Sequence, residues 1–166
     1  MAHANGASGS DGDGIIAFDP WLEPYRDRLR ARHAHFRWML SNLPGGDILG
    51  SASLGHQYFG LNRGENDGKP GVWYREWAPG AIGLSLVGDF NDWVRGANPL
   101  ARDEWGVWST FLPDETYGQR LVHGSKLKVN VATPQGASDR IPAYIRRAVQ
   151  DPVNHAFAGQ YWQPEQ

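Results

Sequence analysis

Cysteine is absent from the 166 residues. That one absence excludes a disulfide framework, a thiolate zinc site and a cysteine nucleophile. Charge of one sign is lacking as well: 16 Lys and Arg stand against 18 Asp and Glu, a formal net charge of −2. Such a balance gives no long-range attraction to a polyanion, so neither nucleic acid nor a membrane surface is expected as a partner. No apolar run approaches the ~18 residues needed to cross a bilayer, and the stretch after Met1 has no apolar segment of the kind a secretory signal requires. With the missing cysteines, this leads to an expected cytoplasmic location. The chain is too short for a (β/α)8 barrel, which takes about 200–250 residues. It has no internal repeat, no coiled-coil heptad and no phosphate-cradling glycine loop, and no cofactor is expected.

What the sequence holds in quantity is turn residues and indoles: 21 Gly, 11 Pro and eight Trp. That many indoles must serve as core, ligand platform or interface. Residues 1–14 carry no large apolar side chain after Met1, so a disordered arm is expected. Residues 15–46 read as a helical segment. Asp19-Pro20, or Glu23-Pro24 one turn later, starts the helix; Tyr25, Leu29, Arg32, Phe36 and Leu40 form one stripe, and Pro44-Gly45-Gly46 stops it. Arg26, Arg28, Arg30, Arg32 and Arg37 make its outer surface basic.

From residue 47 to 150 the pattern reads as one β module, opened by a Gly/Ser-rich loop up to residue 57. Strands are predicted at Tyr58–Leu61, at Val72–Ala78 with Trp73 and Trp77 opposite Val72 and Tyr74, and at Ile82–Leu86 with Ile82, Leu84 and Leu86 inward. Val107–Leu112 follows. Leu127, Val129 and Val131 then alternate with Lys126, Lys128 and Asn130, and Ile141–Ile145 reads as a Pro-interrupted edge strand. Asn66-Asp67-Gly68 and Pro79-Gly80 are turns. Short strands with Gly/Pro turns and no helices between them give an all-β antiparallel sandwich, preceded by one α-helix. Residues 151–166 read as a connector.

Several segments go further than periodicity. Tyr74-Arg-Glu-Trp-Ala-Pro-Gly-Ala81 is followed by Leu86-Val-Gly-Asp-Phe-Asn-Asp-Trp93, then by Gly106-Val-Trp108, by His123-Gly-Ser-Lys-Leu-Lys-Val129 and by Asp139-Arg-Ile-Pro142. In this order and spacing they resemble the N-terminal region of eukaryotic-type 1,4-α-glucan (glycogen or starch) branching enzymes. That region holds a family-48 carbohydrate-binding module, an immunoglobulin-like β-sandwich placed before a family-13 glycoside hydrolase barrel. Asp19-Pro-Trp-Leu-Glu-Pro-Tyr25 resembles the helical segment ahead of the module, and Tyr161-Trp-Gln-Pro-Glu165 the connector into the barrel.

The resemblance implies α-glucan (glycogen, starch or maltooligosaccharides) and a C-terminal catalytic barrel as partners. It implies no catalysis by this chain alone, since none of the family's catalytic positions falls within it. Trp93 matches the Trp that stacks on a glucose ring in glycogen-binding relatives, and Lys128 matches their strand lysine. Lys126 and Asn130 share its outward face by period 2, and Asn91 sits in the turn before Trp93. Trp105 is a candidate further aromatic contact. Each has a plainer reading: Trp93 as an edge cap, the lysines as a solvated face, Asn91 as a turn stabiliser. Kinase-type modules carry a second stacking Trp after the lysine strand; Thr133–Ser138 here has no aromatic.

The remaining Trp divide by position. Trp73, Trp77 and Trp108 read as sheet packing, and Trp21, Trp38 and Trp162 as cover or interface. Glu76, Asp89, Asp103 and Glu104 are the carboxylates a hydrolase would need. His33 and His35 point to different helix faces, and Ser125 lacks a nucleophile-elbow context, so metal and nucleophile sites are not supported. Two functions follow from different classes: a glucan-binding module, or a docking element that packs on the barrel with little glycan affinity of its own.

Overall fold

The computed structural model describes residues 11–43 and 46–164, and the chain divides into two compact units, one ending at Ser53 and one beginning at Leu54. Among the described residues, no helix is long and apolar enough to cross a membrane.

In the first unit a short 3-10 turn at Gly14–Ala17 and another at Pro20–Tyr25 lead into α1, Arg26–Asn42. Asp19 caps the second turn, its carboxylate accepting from the Trp21 N–H at 3.1 Å. Most of the expected disordered arm, residues 1–10, lies outside the described residues. Its last part is tied to the helix: Arg30 bridges Asp11 and Asp13 at 2.9 Å each, and Arg26 also pairs with Asp13. The half-buried face of α1 runs through Leu29, His33 and Leu40, while Tyr25, Arg32 and Phe36 of the expected stripe are exposed. The helix closes on Leu43 in an extended conformation, the geometry that favours a following proline; Pro44 and Gly45 of the expected stop lie outside the described residues. A second helix, α2, spans Ile48–Ser53.

The second unit begins with the helical turn α3, Gly55–Tyr58. A hairpin follows, β1 Gly60–Asn66 and β2 Lys69–Trp77, joined through Asp67 and Gly68 at φ 51° and 74°. Two consecutive positive φ values make the primed turn that matches strand twist, and Asp-Gly is its usual sequence. The remaining strands are β3 Gly83–Gly88, β4 Asn98–Pro99, β5 Ala101–Arg102, β6 Val107–Pro113, β7 Lys126–Thr133, β8 Gly136–Arg140, β9 Arg147–Gln150 and β10 Phe157–Gln160. Between β6 and β7 lies α4, Asp114–Tyr117, with two acidic residues in its first turn. One sheet has the order β1-β2-β6-β5. The other runs β4-β3-β7-β10-β9, with β8 pairing β7 beyond the end of β10. A single core draws Val72, Tyr74 and Leu112 from the first sheet and Leu86, Leu127 and Val129 from the second.

The expected all-β immunoglobulin-like sandwich is therefore corrected. The described residues form a mixed α/β fold with four α-helices and two open sheets. The stretch taken for a Gly/Ser loop turns helical through local bonds: Leu49 N–H donates to Asp47 Oδ1 at 3.0 Å and Ser53 Oγ to Gly50 O at 2.8 Å. Tyr58, expected in a strand, ends α3. Ile82 precedes β3 and is exposed, leaving Leu84 and Leu86 as its inward pair. The edge strand expected at 141–145 does not form. The Ala143 N–H donates instead to Glu76 Oε2 at 3.0 Å, and Pro142 and Ile145 lie over Gly159, where a Cβ would meet Ile145 Cγ1 at 2.8 Å. The segment 151–166 contributes β10 to the larger sheet.

Candidate functional site

The end of β3 and the start of β7 approach so closely that Gly88 admits no side chain: a Cβ there would lie 2.3 Å from Lys126 O and 2.8 Å from Leu127 Cβ. The chain then makes a 3-10 turn at Asp89–Asn91, held by Asn91. Asn91 Oδ1 accepts from Gly88 N–H at 2.9 Å, and its Nδ2 donates to Leu86 O at 3.0 Å and to Asn98 Oδ1 at 2.7 Å. Asp92 and Trp93 follow at φ 55° and 60°. The left-handed region costs an L-residue about 1–2 kcal/mol, so two in succession must be held by their surroundings. Trp93 N–H donates to Gly88 O at 2.9 Å, and Arg120 donates to Asp92 at 2.6 Å.

The Trp93 ring is half-buried. Its Nε1–H donates to Asp89 Oδ1 at 3.0 Å, while Asp89 Oδ2 accepts from the Lys126 backbone N–H at 2.7 Å. Beside it, β7 directs Lys126 and Lys128 outward, and β10 and the turn before it bring Phe157 and Asp151. These six residues line a groove of about 340 Å³. Lys126 Nζ is 3.7 Å from Asp151 Oδ2. Asp151 Oδ1 accepts from the backbone N–H groups of Asn154 and Val153 at 3.1 and 2.9 Å, and these hold its carboxyl below the usual range. Among the described residues, the Lys128 ammonium has neither ion pair nor hydrogen bond. Two aromatic rings, an ammonium without a hydrogen-bonded partner among the described residues, and fixed carboxylates suit a ligand with an apolar face and a hydroxylated rim.

Of the six residues the sequence singles out, the structure brings together three. Trp93, Lys126 and Lys128 line the groove. Asn91 is 8% exposed with its amide fully engaged, so it braces the turn and is not available to a ligand. Asn130 donates to Asp139 Oδ1 at 2.7 Å further along β7. Trp105 lies elsewhere on the surface, 72% exposed, its carbonyl accepting from Trp77 Nε1 at 3.2 Å. Phe157 and Asp151 carried no motif; they reach the groove only because β10 pairs with β7. The turn without an aromatic is a tight β7–β8 hairpin, Thr133 opposite Gly136.

Of the four carboxylates a hydrolase would need, three are engaged in structural bonds, Asp89 as described above. Glu76 Oε2 accepts from Tyr74 OH at 2.6 Å, and Asp103 Oδ1 from the N–H groups of Trp105 and Val107 at 2.9 and 2.8 Å. Ser125 Oγ accepts from Val122 N–H and donates to Arg120 O, closing its own turn. A larger cavity of about 540 Å³ near Arg63 and Tyr161 offers less to a ligand, because Arg63 is held by both oxygens of Asp114 at 2.6 Å.

Residues 58–145 match the family model described as carbohydrate-binding module 48 (isoamylase N-terminal domain). The chain belongs to that family. Beyond the module, the helical region is shared with 1,4-α-glucan-branching enzymes. That of Dictyostelium discoideum is 42% identical over 159 residues, covering 93% of this chain, and that of Emericella nidulans is 42% identical over 160 residues, again 93%. The chain spans 23% of the length of each of these relatives. The shared stretch is the module with its helical region and not the catalytic domain. Among solved structures, the catalytic module of the glycogen-degrading pneumococcal virulence factor SpuA is 18% identical with a TM-score of 0.49, over 63% of this chain and 16% of that one. It is too distant to inform the site. The family match ends before Asp151 and Phe157, so one wall of the module's groove lies outside it.

Proposed function

We propose that this chain is a non-catalytic α-glucan-binding module whose natural ligand is glycogen or starch and whose site is the Trp93 groove. The observation that carries the reading is the half-buried Trp93 ring, held by Asp89, in one groove with Lys128 and Phe157. A pyranose presents an apolar C–H face to an indole and hydroxyls to an ammonium. Covering on the order of 100 Å² of aromatic surface contributes roughly 2–3 kcal/mol gross. After the cost of association this leaves high-micromolar to millimolar affinity for short maltooligosaccharides. As part of a branching enzyme, which cuts an α-1,4 bond and transfers the chain to a 6-hydroxyl, the module would hold the catalytic barrel on polymer and raise local substrate concentration. A cytoplasmic setting belongs to the same proposal.

A second reading, docking onto that barrel, is favoured by a different surface. Trp77 and Trp105, 62% and 72% exposed, lie side by side outside the groove. Single exposed aromatics are ordinary, but two exposed Trp residues tied by the Trp77 Nε1–H to Trp105 carbonyl bond favour an interaction surface. Native electrophoresis through gels with and without glycogen separates the two. Glucan binding predicts retardation of the wild type that Trp93→Ala and Lys128→Ala abolish with unchanged circular dichroism. An unretarded wild type would leave docking as the module's work.

A further inference from the structure

The stacking surface of the groove is carried by a turn whose backbone is pinned while its Trp93 ring lies outside the hydrophobic core. Trp93 follows Asp92 in the left-handed region and stands between two exposed residues, Asp92 and Val94. A half-buried ring on such a turn has two side-chain torsions to lose when a ligand settles on it. We propose that Asp89 is a positioning residue for glucan binding, setting the Trp93 ring against the lysine strand before any ligand arrives. This rests on the glucan reading of the groove.

The geometry is specific to one carboxylate. Asp89 Oδ1 accepts from the indole Nε1–H at 3.0 Å, which fixes the plane of the ring. Asp89 Oδ2 accepts from the Lys126 backbone N–H at 2.7 Å, at the first residue of β7, two positions before Lys128. A single side chain therefore links the platform to the strand that carries the ammonium. Both bonds are charge-assisted, stronger than neutral ones. The other tethers, Trp93 N–H to Gly88 O and Arg120 to Asp92, restrain the backbone and leave the ring free to turn. Preorganisation of this kind lowers the ordering cost of binding without adding a contact to the ligand.

The test is a double-mutant cycle on the full 166-residue chain with maltoheptaose as probe, read by titration calorimetry: wild type, Asp89→Ala, Trp93→Phe and the pair. Phenylalanine keeps an aromatic face and has no N–H for Asp89. The expected result is that Asp89→Ala weakens binding about three- to tenfold when Trp93 is present and changes it little in the Trp93→Phe background, since only the indole has a bond to lose. In the Asp89→Ala variant the indole Nε1–H resonance of Trp93 should move towards the free-indole position, a signature that general loosening of the sheet does not produce. Equal losses in both backgrounds, or none, would overturn the proposal while leaving the glucan site intact. A wild type that does not bind maltoheptaose overturns the glucan reading and this proposal together. Should Asp89→Ala fail to fold, Asp89→Asn is carried through the same cycle, with the same dependence on Trp93 expected at smaller size.

Discussion

Replacing Asn91 with alanine should destabilise the module by about 3 kcal/mol. The side chain makes three hydrogen bonds, to Gly88 N–H, Leu86 O and Asn98 Oδ1, at 2.9, 3.0 and 2.7 Å. All lie in a region where Asn91 and Asn98 are 8% and 7% exposed, too little for water to replace them. Each such bond contributes roughly 0.5–1.5 kcal/mol net, and a buried donor or acceptor left orphaned costs about 1–3 kcal/mol. Asn98 also donates to Tyr117 OH at 2.6 Å, so the loss spreads along a connected chain. About 3 kcal/mol is a large part of the roughly 5–15 kcal/mol that a domain commands, and it should lower Tm by roughly 10–20 °C. The assay is urea unfolding followed by tryptophan fluorescence, with Asn130→Ala as control. Asn130 is half-buried with one bond, to Asp139, and should cost under about 1 kcal/mol. An Asn91→Ala protein as stable as that control would refute the account of the turn. A stable variant that had lost glucan affinity would instead return Asn91 to the ligand, the role the sequence suggested.

Three more outcomes follow from the geometry. Gly88→Ala pushes a methyl into Lys126 O and should cost about 1–3 kcal/mol in the same urea assay. Phe157→Ala should weaken maltoheptaose binding about three- to tenfold in calorimetry without altering the unfolding midpoint, since Phe157 is half-exposed on the groove and outside the core. The Arg95 hydrogen bond, supported by Asn130, holds the Asp139 carboxyl below its ordinary value. A carboxyl lowered in the folded state stabilises it above the unfolded value and loses that contribution as pH falls through the folded one. Asp139→Asn should therefore lower the urea midpoint at neutral pH and flatten its decline below about pH 4, so that the two proteins converge in acid.

The strands of the module were legible wherever one face is buried and the other wet. Val72 and Tyr74 against Trp73 and Trp77, or Leu127 and Val129 against Lys126 and Lys128, announce period 2 because the core sorts them. The Asn66-Asp67-Gly68 turn was legible because its φ values demand those residues. The short helices were not. Ile48–Ser53, with its glycine and serines, is set by local side-chain bonds rather than propensity, and Gly55–Tyr58 is a single turn closed by backbone bonds. Asp114–Tyr117 is a single turn, shorter than any periodicity can register. Half of the groove announced itself through Trp93 and the lysines. The other half, Asp151 and Phe157, depends on β10 returning to pair with β7, a non-local event that no spacing along the chain encodes. Asn91 and Trp93 are two residues apart, yet one is inside and the other at the surface, because Asp92 turns left-handed between them.

On the proposed function, glucan sits on Trp93. Each indole N–H gives its own resonance in a nitrogen–proton correlation spectrum, so titrating the isotopically labelled chain with maltoheptaose reads all eight at once. The expected result is a saturable shift of the Trp93 Nε1–H, bonded to Asp89 at the groove, with the buried Trp108 unmoved and Trp77 and Trp105 silent. A shift at Trp77 or Trp105 with Trp93 unchanged would contradict it.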